Sequence, residues 1–386
     1  MKICLVAPSF YPAVTFGGPT VSTLNKCKFL VELGHQVFVS TTNSNNTSKL
    51  EVETGTYKKI EKNIYAKYYN EIVLNRFSLD FLLNIYNDIK RCKMVIIDDL
   101  FSSYSLISLY ISVIQKKKFI IIPRGVLSDW SLKNRNSLFK KLWIYLLIWP
   151  IQKKINWEVT SNIEFDQVKY FFQNSKIIKI PNGIDIELYN DVRKLSIDEY
   201  DLKFIGKTIK HKKILVSMGR LHPVKRYDRL IIAFSKIYNE NKNLILLIAG
   251  DDWGAKKDLI DLTIKLKVDS SVKFVGHLDF INKVEFLKGA DLFILLSESE
   301  NFGNVVLEAL VCETKVVLGK ELPWNFLEEN KCGHKIDTDE DLVFCLKTII
   351  NQKSNHNTCN FANYVKEYDK IEIIKLTEKE YNNIIK

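Results

Sequence analysis

Two carboxylates with a glycine between them stand out in residues 297–310, SESENFGNVVLEAL. Glu300 and Glu308 flank seven residues, among them Phe302 and Gly303. The run before them, Leu292 to Leu296, is short and wholly apolar, as expected of a strand covered on both faces. The run after them, Val305 to Val311, reads as a helix. Glu300 is thus expected on a loop leaving a strand, and Glu308 in the early turns of the next helix. A strand, a glycine-bearing loop and a helix N-terminus form an anion site, because unsatisfied backbone N–H groups and the helix dipole point the same way. Carboxylates at such a place do not bind phosphate; they accept hydrogen bonds from hydroxyl groups. A ligand carrying both phosphates and hydroxyls, such as a nucleotide sugar, satisfies both demands. A surface glutamate followed by a helix-capping glutamate would give the same spacing.

Other residues bear on the choice. Gly219-Arg220-Leu221-His222-Pro223-Val224-Lys225 follows another expected strand. Arg220 and Lys225 fall on the loop at its C-terminal end, where open α/β sheets bind ligands. A planar guanidinium fork beside a lysine point charge suits a diphosphate. Gly17 and Gly18 follow the first strand, where the lack of a Cβ lets backbone approach a ligand closely. They do not make the dinucleotide fingerprint G-x-G-x-x-G, and a plain turn would also use them. Ala249-Gly250-Asp251 and Val275-Gly276-His277-Leu278 end two further strands.

The elements that must position these residues alternate along the chain. Strands are expected at 3–7, 36–40, 94–98, 118–122, 158–161 and 176–180, with a helix over 21–33 closed by Gly34. The rhythm breaks at Pro181-Asn182-Gly183-Ile184-Asp185 and a charged stretch to about 210, read as a linker over 181–212. It resumes with strands at 214–218, 244–249, 272–275, 292–296 and 315–318. The tail from Asp369 has helical spacing at Ile371, Ile374, Leu376, Tyr381 and Ile385. The pattern is α/β and doubly wound, in two domains, 1–180 and 213–366, with a last helix over 367–386.

Composition narrows the class. A length of 386 residues accommodates two ordinary domains. The 46% hydrophobic and 26% charged content is that of a globular chain. Seven scattered cysteines without a C-x-x-C pair argue against a disulfide framework or a zinc site, and for a reducing cytosol. The histidines show no metal-ligand spacing. Asp98-Asp99 and Asp251-Asp252 are adjacent pairs, not the spaced D-x-D of a metal site. The opening residues read as a first strand rather than a signal peptide. The longest apolar run, Leu142 to Ile151, is too short to span a membrane and contains Pro150. The net charge of +11 is lopsided: residues 1–180 hold 25 basic against 13 acidic side chains, and residues 181–386 hold 31 against 32. The basic half suits nucleic acid, an anionic membrane or a diphosphate-bearing acceptor, or serves solubility alone.

These motifs together resemble the retaining glycosyltransferases of family 4. The likeness rests on the Glu-x7-Glu spacing, the G-R-L…K loop and the P…GG loop around Gly17-Gly18. The resemblance implies the GT-B fold, two Rossmann-like doubly wound domains facing a cleft, and a metal-independent reaction without a cofactor. It implies catalytic roles for Glu300, Arg220 and Lys225, with the last two steadying the departing diphosphate. It implies donor binding by Gly17, Gly18, Gly250, His277, Phe302, Gly303, Asn304, Val305 and Glu308, with Glu308 on the ribose. It also implies that the last helix crosses back to the N-terminal domain. Pro323-Trp324 and Cys332-Gly333-His334 look like the PW…CGW pattern of polysaccharide enzymes, with His334 in place of tryptophan. Pro123-Arg124-Gly125-Val126-Leu127 resembles their PRGML segment. Arg124 stands where many members carry histidine, and is a candidate for the acceptor's phosphate. The implied partners are a UDP-sugar and a glycan or lipid-linked acceptor of bacterial surface polysaccharide assembly, such as capsule or lipopolysaccharide. A nucleotide-sugar epimerase, a phosphorylase and a nucleic-acid binder are the rival readings; no recognition motif supports the last.

One segment remains outside this scheme. Residues 137–156, SLFKKLWIYLLIWPIQKKIN, set Trp143, Tyr145 and Trp149 between two lysine pairs. They fit an anionic membrane interface at the inner face of the plasma membrane. A buried helix with solvated ends fits equally, because the apolar residues form no one-sided stripe.

Overall fold

The computed structural model describes all residues except 46–47, 74–76, 134–136, 210–212, 326, 352–358 and 386. Two positions of the polar 41–48 loop, the end of the expected linker and the final lysine lie outside the described residues. The chain divides into two compact units, Met1–Gly183 with Lys370–Lys386, and Ile184–Asp369.

In the first unit the strands of the main sheet are β1 (Lys2–Val6), β2 (Gln36–Thr42), β3 (Tyr57–Glu61), β4 (Ile64–Tyr69), β5 (Met94–Asp98), β6 (Lys118–Ile122), β7 (Asn156–Val159) and β8 (Lys176–Lys179). They form one sheet in the order β8-β7-β6-β5-β1-β2-β4-β3. Every pairing is parallel except β3 on β4. The central strand β1 sends Cys4 and Val6 into one core cluster and Ile3 and Leu5 into the other. This is the period of two expected of a strand whose faces are both covered by helices. The helices used below are α1 (Gly18–Glu32), α2 (Leu79–Lys90) and α3 (Ser103–Ile114).

The second unit holds β9 (Lys213–Met218), β10 (Leu244–Ala249), β11 (Val272–Gly276), β12 (Leu292–Leu295), β13 (Val316–Gly319) and β14 (Gly333–Ile336). They are ordered β11-β10-β9-β12-β13-β14, all parallel. This is the doubly wound order in which the strand sequence reverses beside β9, and ligands bind outside the carboxyl ends at that point. Strand β10 is buried throughout, with Ile245 and Leu247 on one core and Leu244 and Leu246 on the other. Helices α4 (Tyr227–Glu240), α5 (Phe280–Lys288) and α6 (Asn304–Val311) follow β9, β11 and β12.

The doubly wound α/β expectation holds in both units, and several local readings need correction. The stretch read as a linker forms short helical turns at Ile186–Asn190, Ile197–Tyr200 and Asp201–Ile205. Its Tyr189, Leu195, Tyr200, Phe204 and Ile205 are buried in the core of the second unit. The charges between these residues disguised a buried face. The strand expected at 158–161 lies at Asn156–Val159, because Ser161 caps the helix Asn162–Phe171 by accepting the Glu164 N–H at 3.2 Å. Strand β4 was not foreseen: Lys67 interrupts its apolar run, and is buried in an ion pair with Asp88. Strand β14 was also missed. There, Gly333 lies so close to β13 that a Cβ would stand 2.1 Å from the Val316 carbonyl oxygen. The final helix, α7 (Lys370–Ile385), belongs to the first unit and contacts α1.

Candidate active site

At the carboxyl ends of β9, β10 and β11 the chain turns through three glycines. Gly219 donates its N–H to the Ala249 carbonyl at 2.9 Å, and Gly250 donates to the Gly276 carbonyl at 2.8 Å. Gly250 has φ +143°, and a Cβ there would fall 2.0 Å from the Gly219 carbonyl oxygen. Glycine is required at this position by both conformation and space. Tyr227, at the start of α4, donates its hydroxyl to the Gly219 carbonyl at 3.0 Å and so fixes the loop that carries Arg220 and Lys225.

Lys225 lies over Gly219 and pairs through Nζ with Glu300 Oε1 from the loop after β12. Both side chains are largely buried, at 12% and 14% exposure. The loops are also joined by the backbone, since Glu298 donates its N–H to the Val224 carbonyl at 2.9 Å. Arg220 lies with its guanidinium carbon 4.5 Å from the centre of the Trp253 ring. Burial lowers the Arg220 pKa, with Glu300 acting in the opposite direction.

The segment from Glu300 leads directly into α6. Gly303 is left-handed, with φ +78°, and forms its N-cap. Amides in the first turn of a helix have no acceptor four residues back and point along the axis. Asn304 and Val305 occupy that turn. The turn is held from behind by aromatics: Trp324 Nε1 donates to the Phe302 carbonyl at 2.7 Å, with ring centres 5.1 Å apart. Phe302 is 5% exposed, so its side chain belongs to the core and only its backbone is offered to the loop. Deeper in the helix, Glu308 Oε1 accepts from Lys283 of α5 and from the Tyr189 hydroxyl at 3.2 Å. Burial, then the Glu308 charge, push the Tyr189 hydroxyl pKa upward. Ser297, just beyond β12, buries its Oγ without a hydrogen-bond partner.

The second unit therefore gathers Arg220, Lys225, Gly250, Glu300, Phe302, Gly303, Asn304, Val305 and Glu308 at the ends of neighbouring strands. His277 follows Gly276 and pairs with Asp251 at 3.0 Å, both well exposed. Gly17, Gly18 and Arg124 lie in the first unit. Gly17 has φ +70° and precedes α1, with Pro19 in the helix's first turn. Arg124, the candidate for the acceptor's phosphate, is engaged within its own unit. Its Nε and Nη2 hold Asp98 at 2.5 and 2.8 Å, and its Nη atoms reach Ser22 at 2.9 Å and Thr23 at 3.1 Å. Four of its five N–H groups are thus directed at the protein, which makes Arg124 a brace between β5, α1 and the turn after β6. Four residues escaped the sequence: Lys283, Tyr189, Trp253 and Tyr227. Tyr189 was hidden in the supposed linker. Trp253 alone had a legible signal, an aromatic one position beyond a strand-end Gly-Asp-Asp.

Comparison with known proteins bears on the family and the fold. Residues 199–325 match the family model described as glycosyl transferases group 1. Over 141 residues the chain is 33% identical to N-acetyl-alpha-D-glucosaminyl L-malate synthase of Bacillus anthracis, covering 36% of this chain and 34% of that protein. Over 186 residues it is 30% identical to a Campylobacter jejuni enzyme, N-acetylgalactosamine-N,N'-diacetylbacillosaminyl-diphospho-undecaprenol 4-alpha-N-acetylgalactosaminyltransferase, covering 48% and 46%. The chain thus matches less than half the length of these curated relatives. In fold it resembles the crystal structure of Anabaena HepE in complex with UDP and glucose, with a TM-score of 0.73 at 16% identity over 99% of this chain and 100% of that one. The segment matched to the group 1 glycosyl transferases, 199–325, contains Arg220, Lys225, Glu300 and Glu308, and the chain that carries it has the fold of these GT-B structures.

Proposed function

We propose that this chain is a retaining glycosyltransferase that takes a sugar from a UDP-sugar. The observation that carries this reading is the gathering of two cations and two carboxylates around one helix N-terminus in the second unit. Arg220, Lys225 and the amides of Asn304 and Val305 are suited to the diphosphate. Glu308 is suited to the ribose hydroxyls, and Glu300 to hydroxyls of the transferred sugar. The bond from the anomeric carbon to the diphosphate oxygen breaks, and the acceptor hydroxyl oxygen bonds that carbon from the same face. The acceptor's proton passes to the departing phosphate oxygen. Preorganised charge from Arg220 and Lys225 offsets the negative charge that builds on the leaving group, so the reading needs no metal.

The acceptor is proposed to be a lipid-linked saccharide or glycan of bacterial surface polysaccharide assembly. The Campylobacter relative, named for a diphospho-undecaprenol acceptor, supports this class, and the UDP and glucose complex of HepE supports the donor. Calorimetric titration with UDP, GDP and ADP in EDTA tests the site. UDP is expected to bind wild type and to lose affinity at least tenfold in Glu308→Ala. Absence of nucleotide binding by folded protein would remove the reading. With a UDP-sugar and acceptor supplied, product of unchanged anomeric configuration is expected; UDP-sugar epimerised without acceptor would make the chain an epimerase.

A further inference from the structure

We propose that the segment Ser137–Lys154 is a docking surface for an anionic lipid bilayer. The segment passes from α-helix (Ser137–Leu142) through wide π-type turns (Trp143–Ile148) to tight turns over Trp149–Lys154, where Pro150 supplies no N–H. Its apolar residues divide between two faces. Ile144 and Ile148 are fully buried in the core of the first unit. Leu138, Phe139 and Leu146 are 75%, 60% and 65% exposed, and Leu142, Tyr145 and Trp149 are about half exposed. Six large apolar side chains in twelve residues thus face outward from a stretch whose inner face is already satisfied. That division explains why the sequence shows no single stripe.

Isolated exposed apolar residues are ordinary, but a contiguous group marks a surface that meets something. The charges around it select the partner. Lys141, within the apolar stretch, and Lys153 and Lys154, just beyond it, are exposed, and residues 1–180 carry 25 basic against 13 acidic side chains. Aromatic and leucine side chains flanked by lysines suit a headgroup boundary, where apolar parts sink and ammonium groups meet lipid phosphates. The face is held rather than loose. Tyr110 of α3 donates its hydroxyl to the Leu147 carbonyl at 2.8 Å. Helix α2 extends the same side of the unit: Phe81, Ile85 and Ile89 join the core cluster that holds Ile144, while Leu82, Leu83 and Tyr86 are exposed.

This inference is independent of the proposed sugar transfer, and the two are tested apart. The full chain is sedimented with vesicles of equal parts phosphatidylglycerol and phosphatidylcholine, and with vesicles of phosphatidylcholine alone. Binding to the anionic vesicles only is expected. The double variant Leu142→Glu, Leu146→Glu should reduce partitioning by about tenfold or more. Neutralising Lys141, Lys153 and Lys154 to Gln should cost on the order of fivefold each. Neither variant touches the core, and both should keep the circular-dichroism spectrum and melting temperature of wild type, which checks that they are folded. Absence of binding to anionic vesicles overturns the proposal, as does equal binding to neutral ones. Self-association in sedimentation velocity that the Leu142→Glu, Leu146→Glu variant abolishes would assign the face to a second copy of the chain instead.

Discussion

Single residues here are mostly engaged by a partner of opposite charge. Lys225 holds Glu300 and Lys283 holds Glu308, so each carboxylate of the Glu-x7-Glu pair is positioned by a lysine from another segment of the second unit. The Arg124–Asp98 pair is 12% and 5% exposed. Breaking such a pair strands a buried charge at a cost of about 3–5 kcal/mol. Arg124→Gln is therefore expected to lower the stability of the first unit by that order in a denaturant titration, while UDP affinity stays unchanged. Asp99, beside it, is left-handed with φ +113°, and burial pushes its carboxyl up to about 6. An unfolded aspartate titrates near 3.9. Between those values the folded chain holds a proton that the unfolded chain has lost. Its contribution to stability is thus fully present below about 4 and is lost as pH rises through about 6. Asp99→Asn, which keeps an acceptor for the Phe101 N–H at 3.3 Å, should flatten that part of the melting-temperature profile between pH 4 and 7. An unchanged slope would assign it to another group.

At the scale of elements, the site depends on strand ends that approach more closely than a side chain allows. Gly250→Ala would drive a Cβ into the Gly219 carbonyl and displace the loop carrying Arg220 and Lys225. Loss of about 2–4 kcal/mol in stability is expected, with UDP affinity falling alongside it. Gly17→Ala is the contrasting case. It has the same need for positive φ, but nothing lies within 4 Å of its missing Cβ. Its cost should be only about 1–2 kcal/mol. Thermal melts of the two variants, each with and without UDP, separate the crowding from the conformational cost. The aromatic group of Phe302, Trp324 and Tyr368 performs the matching task for α6, fixing the turn from inside the core.

For the whole molecule, the two units differ in how they are closed. The second is continuous in sequence, whereas the first is completed by α7 from the far end of the chain. Ile373, Tyr381 and Ile384 of that helix are buried, and Tyr381 donates its hydroxyl to Glu158 at 2.7 Å. Glu158 is also the ion-pair partner of Lys26 in α1. Burial of each such apolar side chain stabilises by about 1.5–3 kcal/mol. A chain ending at Asp369 should therefore lose several kcal/mol in the first unit alone. Calorimetry should show one transition lowered, and a second that UDP still raises. A single transition lowered as a whole would show the units to unfold together.

The sequence by itself determined the alternation of strands and helices, and with it the doubly wound α/β fold. Buried parallel strands must be short apolar runs, and those runs are visible without any partner. It also marked Arg220, Lys225 and Glu300, because each follows such a run and chain connectivity alone delivers it to the loop at a strand end, and Glu308 by its spacing from Glu300 on the helix that follows. Tertiary structure decided what depends on residues distant in the chain. It turned the supposed linker into core, since only packing reveals that Tyr189, Tyr200 and Phe204 share a buried face. It joined Arg124 to Asp98, and Lys283 to Glu308. It also split the apolar residues of 137–149 into an inward and an outward face, a division set by where the sheet lies and not by hydrophobicity, which is alike on both.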